Sequence, residues 1–411
     1  MAPPSPAVSP VVIVGGGLIG LAIAHALARR GCRVTVLSRR RNEAAGFVAA
    51  GMLAPHAEGL SGPLLALGQA SLARIPAWVA GIEADSGLPC GLRPCGIVVP
   101  FSSAAERDAY PTAAWGSALD RAALEREVAG IGTRWQAGLL FAQDGQIDNR
   151  RRLMRALERA CVNRGVHFEE GCEVLALLNE AGSLRAVRLR RADGEDLTLL
   201  CSQAVLCCGA WSAALLPELP VFPVKGQMLS LQGPIGALRR VVFGPGTYLV
   251  PRDDGLLVVG ATSEAEAGFA EGLTPAGQRQ LQAGISALLP AAAGWPPMER
   301  WWGFRPCTPD QGPLLGEGPV AGLWLATGHH RNGVLLAAIT AELIANGIAP
   351  PAHPATTAAD RHHRIDPAEM AAESARGSRP SVAVESREWL HTFRWQRFGA
   401  AAEAMRLRPP G

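Results

Sequence analysis

The sequence predicts an α/β protein in which a domain built on a parallel sheet is interleaved with a domain built on an antiparallel sheet. Three observations carry this reading. Near the N-terminus a short β-branched run, a glycine-rich turn and a helix precede a second apolar run. Between residues 223 and 261 strands alternate with turns, and a last strand, turn and helix over 323–345 return the chain to its first domain. A chain of 411 residues exceeds the size at which one core usually stops growing, so two domains are the expectation.

The elements follow in order. Residues 11–14 are a β-branched strand, 18–30 carry apolar residues at helical spacing until Gly31, and 34–37 form a second strand. This βαβ order requires a parallel pair with a right-handed crossover. Over 89–145 short apolar runs are broken by Pro and Gly, and a helix spans 150–164. Strands are predicted at 166–169, 173–178, 184–190 and 204–207, all read as a return to the first domain. Strands at 228–231, 247–251 and 256–259 belong to the antiparallel part, the last two joined around Asp254 and Gly255. A strand at 323–326 precedes Gly328 and a helix over 333–345. Residues 350–385 read as a linker rich in Pro, Ala and Ser, whereas Trp389, Leu390, Phe393, Trp395 and Phe398 beyond it are too apolar to stay solvated and should dock on the body.

Composition narrows the function. Hydrophobic residues make up 48% and charged residues 18%, which is globular rather than disordered. A net charge of +3, from 39 basic and 36 acidic residues, gives no reason to expect nucleic acid or a membrane surface as partner. The run Arg39, Arg40, Arg41 reads as a solvated loop. Nine scattered cysteines, with Cys207 and Cys208 vicinal, match neither a disulfide framework nor a zinc pattern and suit a reducing cytoplasm. The uncharged stretch 197–216 is broken by Ser202, Gln203, Gly209 and Ser212, so no membrane span is expected. The opening MAPPSPAVSP lacks a basic n-region, so export is not expected either.

Gly15, Gly17 and Gly20 give the spacing G-x-G-x-x-G at a strand-to-helix junction. There the missing side chains let backbone amides approach a pyrophosphate, and the helix dipole favours its charge. The motif alone does not choose NAD over FAD. Ser38 stands where a ribose-binding acid is expected, and a hydroxyl makes a weaker contact there than a carboxylate. His56 and Glu58 are too few for a metal site, and none is assigned.

The segment AAGMLAPHAE at 49–58 resembles the loop after the second strand in the glycine oxidases of thiamin biosynthesis, within the FAD-dependent D-amino-acid oxidase and sarcosine oxidase family. Similar strings are PVKGQMLSL at 223–231, YLVPR at 248–252, LVVGAT at 257–262, WGFRPCTPD at 302–310 and TGHHRNGVLL at 327–336, and the tail WLHTFRWQRF resembles that family's last helix. The resemblance covers most of residues 10–345 and returns near 388. It implies an FAD-binding Rossmann-like domain over 8–88, 146–216 and 300–348, an antiparallel-sheet (α+β) substrate domain over 89–145 and 217–299, a linker over 350–385 and a docking tail over 386–411.

The same resemblance implies site residues. For non-covalent FAD they are Gly15, Gly17, Leu18, Ile19, Gly20, Ser38 and Arg39 at the first turn, Ala50, Gly51 and Met52 in the following loop, and Val174. Gly328, His329, His330, Arg331, Asn332, Gly333, Val334 and Leu335 complete the set at the start of the helix over 333–345, whose N-terminus would stabilise negative charge on reduced flavin. Arg305 matches the arginine that clamps the substrate carboxylate, Tyr248 its hydroxyl partner, and Arg331 a gate over the site. Ser263, beside Thr262, would face the substrate, and Gly246 stands where a histidine occurs in the family. Cys307 sits two residues before Pro309, closer than the cysteine that some sarcosine oxidases bond to FAD, so no covalent link is expected.

The implied reaction moves hydride from Cα of glycine or another small amino acid to the flavin, giving an imine and, with O2, hydrogen peroxide. The imine would hydrolyse to glyoxylate and ammonia or feed thiazole formation, with thiazole synthase a possible partner and a homo-oligomer the implied assembly. Three other readings stay open: a D-amino-acid dehydrogenase passing electrons to a quinone, a sarcosine oxidase, and a flavin-binding partner protein without turnover. Ser38, Gly46 and Phe47 are the only support for the last, and the Arg305–Tyr248 pair argues against it.

Overall fold

Strand Val11–Val14 is buried along its whole length and alternates its side chains between two cores. Val11 and Ile13 face helices, while Val12 and Val14 face a second sheet. The computed structural model that shows this describes residues 10–351 and 382–399. Val11–Val14 lies inside a six-stranded sheet ordered Leu314–Glu317, Leu323–Thr327, Gln203–Leu206, Val11–Val14, Val34–Ser38, His167–Glu170. All its pairs are parallel except that of the edge strand Leu314–Glu317. Near-continuous apolar strands are what a sheet covered on both faces demands.

Helices Leu18–Ala28, Met154–Asn163 and Gly333–Ile348 cover one face, and the helix expected over 150–164 opens with a π turn, Asn149–Leu153. A fourth helix on that face, Gly62–Ser86, has no counterpart among the sequence expectations. Gly68, Pro76 and Gly81 interrupt its pattern, and only seven of its 25 residues are buried, so its apolar stripe is thin. The other face meets Glu173–Glu180, Ser183–Arg190 and Asp196–Leu200. These form a separate antiparallel sheet of three strands instead of extending the parallel one.

The largest sheet has eight strands, ordered Pro297–Cys307, Phe222–Gln232, Leu256–Gly260, Thr247–Pro251, Val241–Gly244, Ile97–Phe101, Ala137–Phe141, Ser117–Leu119. Helix Pro275–Leu288 covers one face through Leu281, Ile285 and Leu288 against Leu249, Leu257 and Val259. The alternate residues Tyr248, Val250, Met228 and Val258 face the opposite way. Pro297–Cys307 pairs along Phe222–Gln232, with Arg305 opposite Val224. Residues 300–307 therefore sit in this sheet and not, as the sequence grouping placed them, with the nucleotide-binding strands. Six of the strand's eleven residues are aromatic or charged, and it is its hydrogen-bonded register, absent from the sequence, that decides where it goes.

Near the C-terminus, Val382–Thr392 leads to Phe393, which is buried in the helical core and accepts a 3.0 Å hydrogen bond from the Leu315 amide through its carbonyl. Arg397 forks onto Asp310 at 2.7 and 3.0 Å. Most of the linker expectation, 352–381, and the end of the tail, 400–411, lie outside the described residues.

Candidate active site

One cavity of about 890 Å³ runs from the glycine turn to the inner face of the eight-stranded sheet, a size suited to a cofactor with its substrate. Gly15 turns the chain out of the first strand at φ +115°, and a Cβ there would lie 2.4 Å from the Cys207 carbonyl oxygen. Helix Leu18–Ala28 starts at Gly17 with no side-chain cap, which leaves its first amides free to meet negative charge from the cavity. Leu18 and Ile19 line this end with Gly15 and Gly17, as do Ser38, Arg39 and Val174. Gly20 does not. It packs the helix against the Gly15 carbonyl.

The loop after the second strand forms the next wall. Ala50, Gly51 and Met52 line it, and Gly51, at φ +86°, lies so close to the Ile147 carbonyl that any Cβ would collide. Arg252, 5% exposed, donates from Nη2 to the Ala50 carbonyl at 2.5 Å and pairs through Nε with Asp148 at 3.6 Å. Trp301 Nε1 donates to the Val48 carbonyl at 2.9 Å. Burial lowers the Arg252 pKa to about 10, and the loop hangs on this buried cation.

At the far end stand Arg305, Tyr248, Ser263, Arg331 and Glu58. Arg305 Nη1 donates to the Thr262 carbonyl at 3.0 Å, and its guanidinium lies against Gly226, where a Cβ would displace it. Tyr248 packs on Gly260 in the same way. Burial pushes the Tyr248 hydroxyl upward in pKa, against the pull of the Arg305 charge, so it remains a neutral donor. Arg331, 40% exposed by side chain, lies 3.5 Å from Glu58, whose Oε2 is buried and accepts no hydrogen bond. Burial raises the Glu58 carboxyl pKa, with the Arg331 and Arg305 charges opposing.

The turn before helix Gly333–Ile348 closes the cavity. His329, His330, Arg331, Gly333 and Val334 line it, whereas Gly328, Asn332 and Leu335 do not. His329 Nε2 meets Thr340 Oγ1 at 3.0 Å, and burial alone takes its pKa down to about 3. His330 adopts φ +47°, its Nδ1 is unpartnered, and its pKa falls to about 4 through burial and two nearby arginines. Both rings are neutral near pH 7. Helix Gly333–Ile348 opens here without a side-chain cap.

His56 is held by Asp144 at 2.6 Å through Nδ1 and by Gln69 at 3.0 Å through Nε2, which accounts for both ring nitrogens. Cys307 is buried and does not line the cavity. Three contributors had no assigned role in the sequence. Glu58 was weighed only as a metal ligand, Arg252 appeared only as part of YLVPR, and Trp211, edge-on to Phe304 at 5.9 Å, carried no signal. Arg41 corrects an expectation: its side chain is 16% exposed, so the end of the basic run is not solvated.

These residues fit a flavin dinucleotide. Uncapped helix amides stand at one end, side-chain-free backbone forms the middle wall, and unpartnered buried polar atoms, His330 Nδ1 among them, lie along the lining. A model of the FAD dependent oxidoreductase family matches residues 10–346. The chain belongs to that family. This oxidoreductase therefore uses FAD, and the match spans all the lining just described. It is similar to the bifunctional protein ThiO/ThiG of Synechocystis, 44% identical over 82% of this chain and 51% of that protein. The oxidoreductase thus spans about half the length of such two-part relatives. It is 32% identical to the glycine oxidase of Pseudomonas aeruginosa over 82% of this chain and 93% of that one. The crystal structure of glycine oxidase from Geobacillus kaustophilus superposes with a TM-score of 0.76 at 30% identity, covering 82% of this chain and 94% of that one. Among the described residues no helix is long and apolar enough to cross a membrane.

Proposed function

We propose that the protein oxidises glycine or a similarly small amino acid at its Cα–N bond, with FAD as hydride acceptor and O2 as final acceptor. The observation that carries this is the Arg305–Tyr248 pair at the end of the cavity opposite the glycine turn. Arg305 spends Nη1 on the Thr262 carbonyl, which orients the guanidinium and leaves its other edge for a carboxylate. Tyr248 adds a neutral hydroxyl donor beside it. Fixing the carboxylate in this way fixes the direction of the Cα–H bond, so orientation supplies most of the acceleration. Bound FAD supplies the two-electron acceptor. Arg331 and Glu58, paired at the mouth, narrow the space around the substrate and favour a small side chain.

The imine product would hydrolyse to glyoxylate and ammonia or pass to thiazole formation in thiamin biosynthesis, and reoxidation would release hydrogen peroxide. The likeness to ThiO/ThiG proteins supports the thiamin role and a thiazole synthase as partner. All nine cysteines are free, which supports a reducing cytoplasm. A homo-oligomer is proposed on family likeness alone.

The test is an anaerobic absorbance scan with glycine, then sarcosine, then D-alanine, before admitting air. Bleaching by glycine with recovery and peroxide in air is expected. Bleaching without recovery would replace oxygen by another acceptor, and no bleaching with any of the three would remove the amino-acid reading.

A further inference from the structure

Ser38 leaves the nucleotide end without the acid that a βαβ unit ordinarily offers to a ribose, and the structure puts a different side chain beside that position. Arg41 begins a short 3-10 turn after the second strand and folds back over the glycine turn. A Cβ on Gly16 would lie 2.6 Å from Arg41 Cδ and 3.1 Å from Ser38 Cβ, so the three residues share one patch of cavity wall. The guanidinium is held from behind. Nε pairs with Glu170 at 2.8 Å, Nη2 donates to Glu158 at 2.5 Å, and the Phe168 ring lies 5.2 Å from Cζ. Nη1 is buried and, among the described residues, has no hydrogen-bond partner.

A buried N–H left unsatisfied on an otherwise fully anchored cation is costly unless a ligand takes it. Two carboxylates fix the plane of the guanidinium, so Nη1 is presented and not merely left over. Arg39 and Arg40, its neighbours in the same basic run, are spent on Glu173 and Glu43 at the surface.

We propose that Arg41 binds the adenosine half of FAD, Nη1 donating to a ribose hydroxyl or adjoining phosphate oxygen, and so takes over the role left open by Ser38. The contact reverses the usual polarity. Where a carboxylate would accept from the ribose, an arginine donates to it, and an oxygen carrying negative charge would bind best.

The test measures FAD affinity of the apoprotein by flavin fluorescence quenching, with ADP and adenosine as competitors. Arg41→Met is expected to weaken FAD by about tenfold or more, the loss that one charge-assisted hydrogen bond represents. ADP should weaken in parallel. Loss for adenosine as well places the contact on the ribose, and loss for ADP alone places it on the phosphate. Adding Ser38→Glu to Arg41→Met should restore much of the FAD affinity, because the acid then supplies the ribose contact, and a general loss of packing would not be rescued in this way. Unchanged FAD affinity in Arg41→Met, or loss that Ser38→Glu leaves untouched while ADP binds as before, would overturn the proposal.

Discussion

The two ends of the cavity are made of opposite materials. At the nucleotide end the working surface is largely backbone, namely the turn at Gly15, the uncapped amides of Leu18–Ala28, and one presented cation, Arg41. At the substrate end it is side chain, with Arg305, Arg331, Glu58 and Tyr248 gathered where burial shifts the carboxyl and the phenol upward. A backbone site is sensitive to added atoms and little affected by pH, whereas a site of buried charges is sensitive to their removal. Binding and chemistry should therefore fail separately.

Removing charge at the substrate end should give the largest effect. Arg305→Met is expected to lower kcat/KM for glycine about a thousandfold, near 4 kcal/mol, while FAD affinity holds. Steady-state rates beside a flavin titration decide this, and an equal fall in FAD affinity would erase the contrast between the ends. Adding one methyl group at the other end comes next. Gly15→Ala meets the Cys207 carbonyl at a φ that L residues rarely adopt, and should cost about 3 kcal/mol of stability together with most of the bound flavin. Chemical unfolding and the ratio of flavin to protein absorbance test it, and a variant that keeps both would show that the turn relaxes.

Tyr248→Phe removes one hydroxyl donor and nothing else. A loss of about tenfold in kcat/KM is expected, and an unchanged rate would mean that Arg305 holds the carboxylate alone.

The smallest effect concerns pH. Burial lowers the His329 pKa in the fold to about 3, against an ordinary value of 6.5, so between those values the unfolded chain binds the extra proton. Its contribution is present above pH 6.5 and is lost as pH falls toward 3, by about 1 kcal/mol over the first unit. Urea midpoints from pH 7 to 5 should fall less steeply in His329→Gln, which keeps a partner for Thr340. Parallel slopes would remove His329 as the source.

How much of this was legible depends on distance along the chain. The strands Val11–Val14 and Thr247–Pro251 and the helix Gly333–Ile348 follow from local pattern, and so does the glycine turn. The helix Gly62–Ser86 does not, because Gly68, Pro76 and Gly81 dilute its periodicity and its stability comes from packing on Met154–Asn163 and Gly333–Ile348. Arg305 and Tyr248 were named through resemblance, since nothing in their immediate neighbours says that Gly226 and Gly260 will lie beneath them.

By itself, the sequence determined the βαβ unit and the place where a dinucleotide meets it, because strand, turn and helix lie within one short stretch and local sterics dictate their form. Only the tertiary structure decided which charges are buried against the cavity and which are solvated. Arg39, Arg40 and Arg41 are chemically identical neighbours, yet Arg41 alone is drawn inward, because Phe168, Glu158 and Glu170 arrive from another helix and another strand. Burial and pairing are properties of that arrival, and no local pattern carries them.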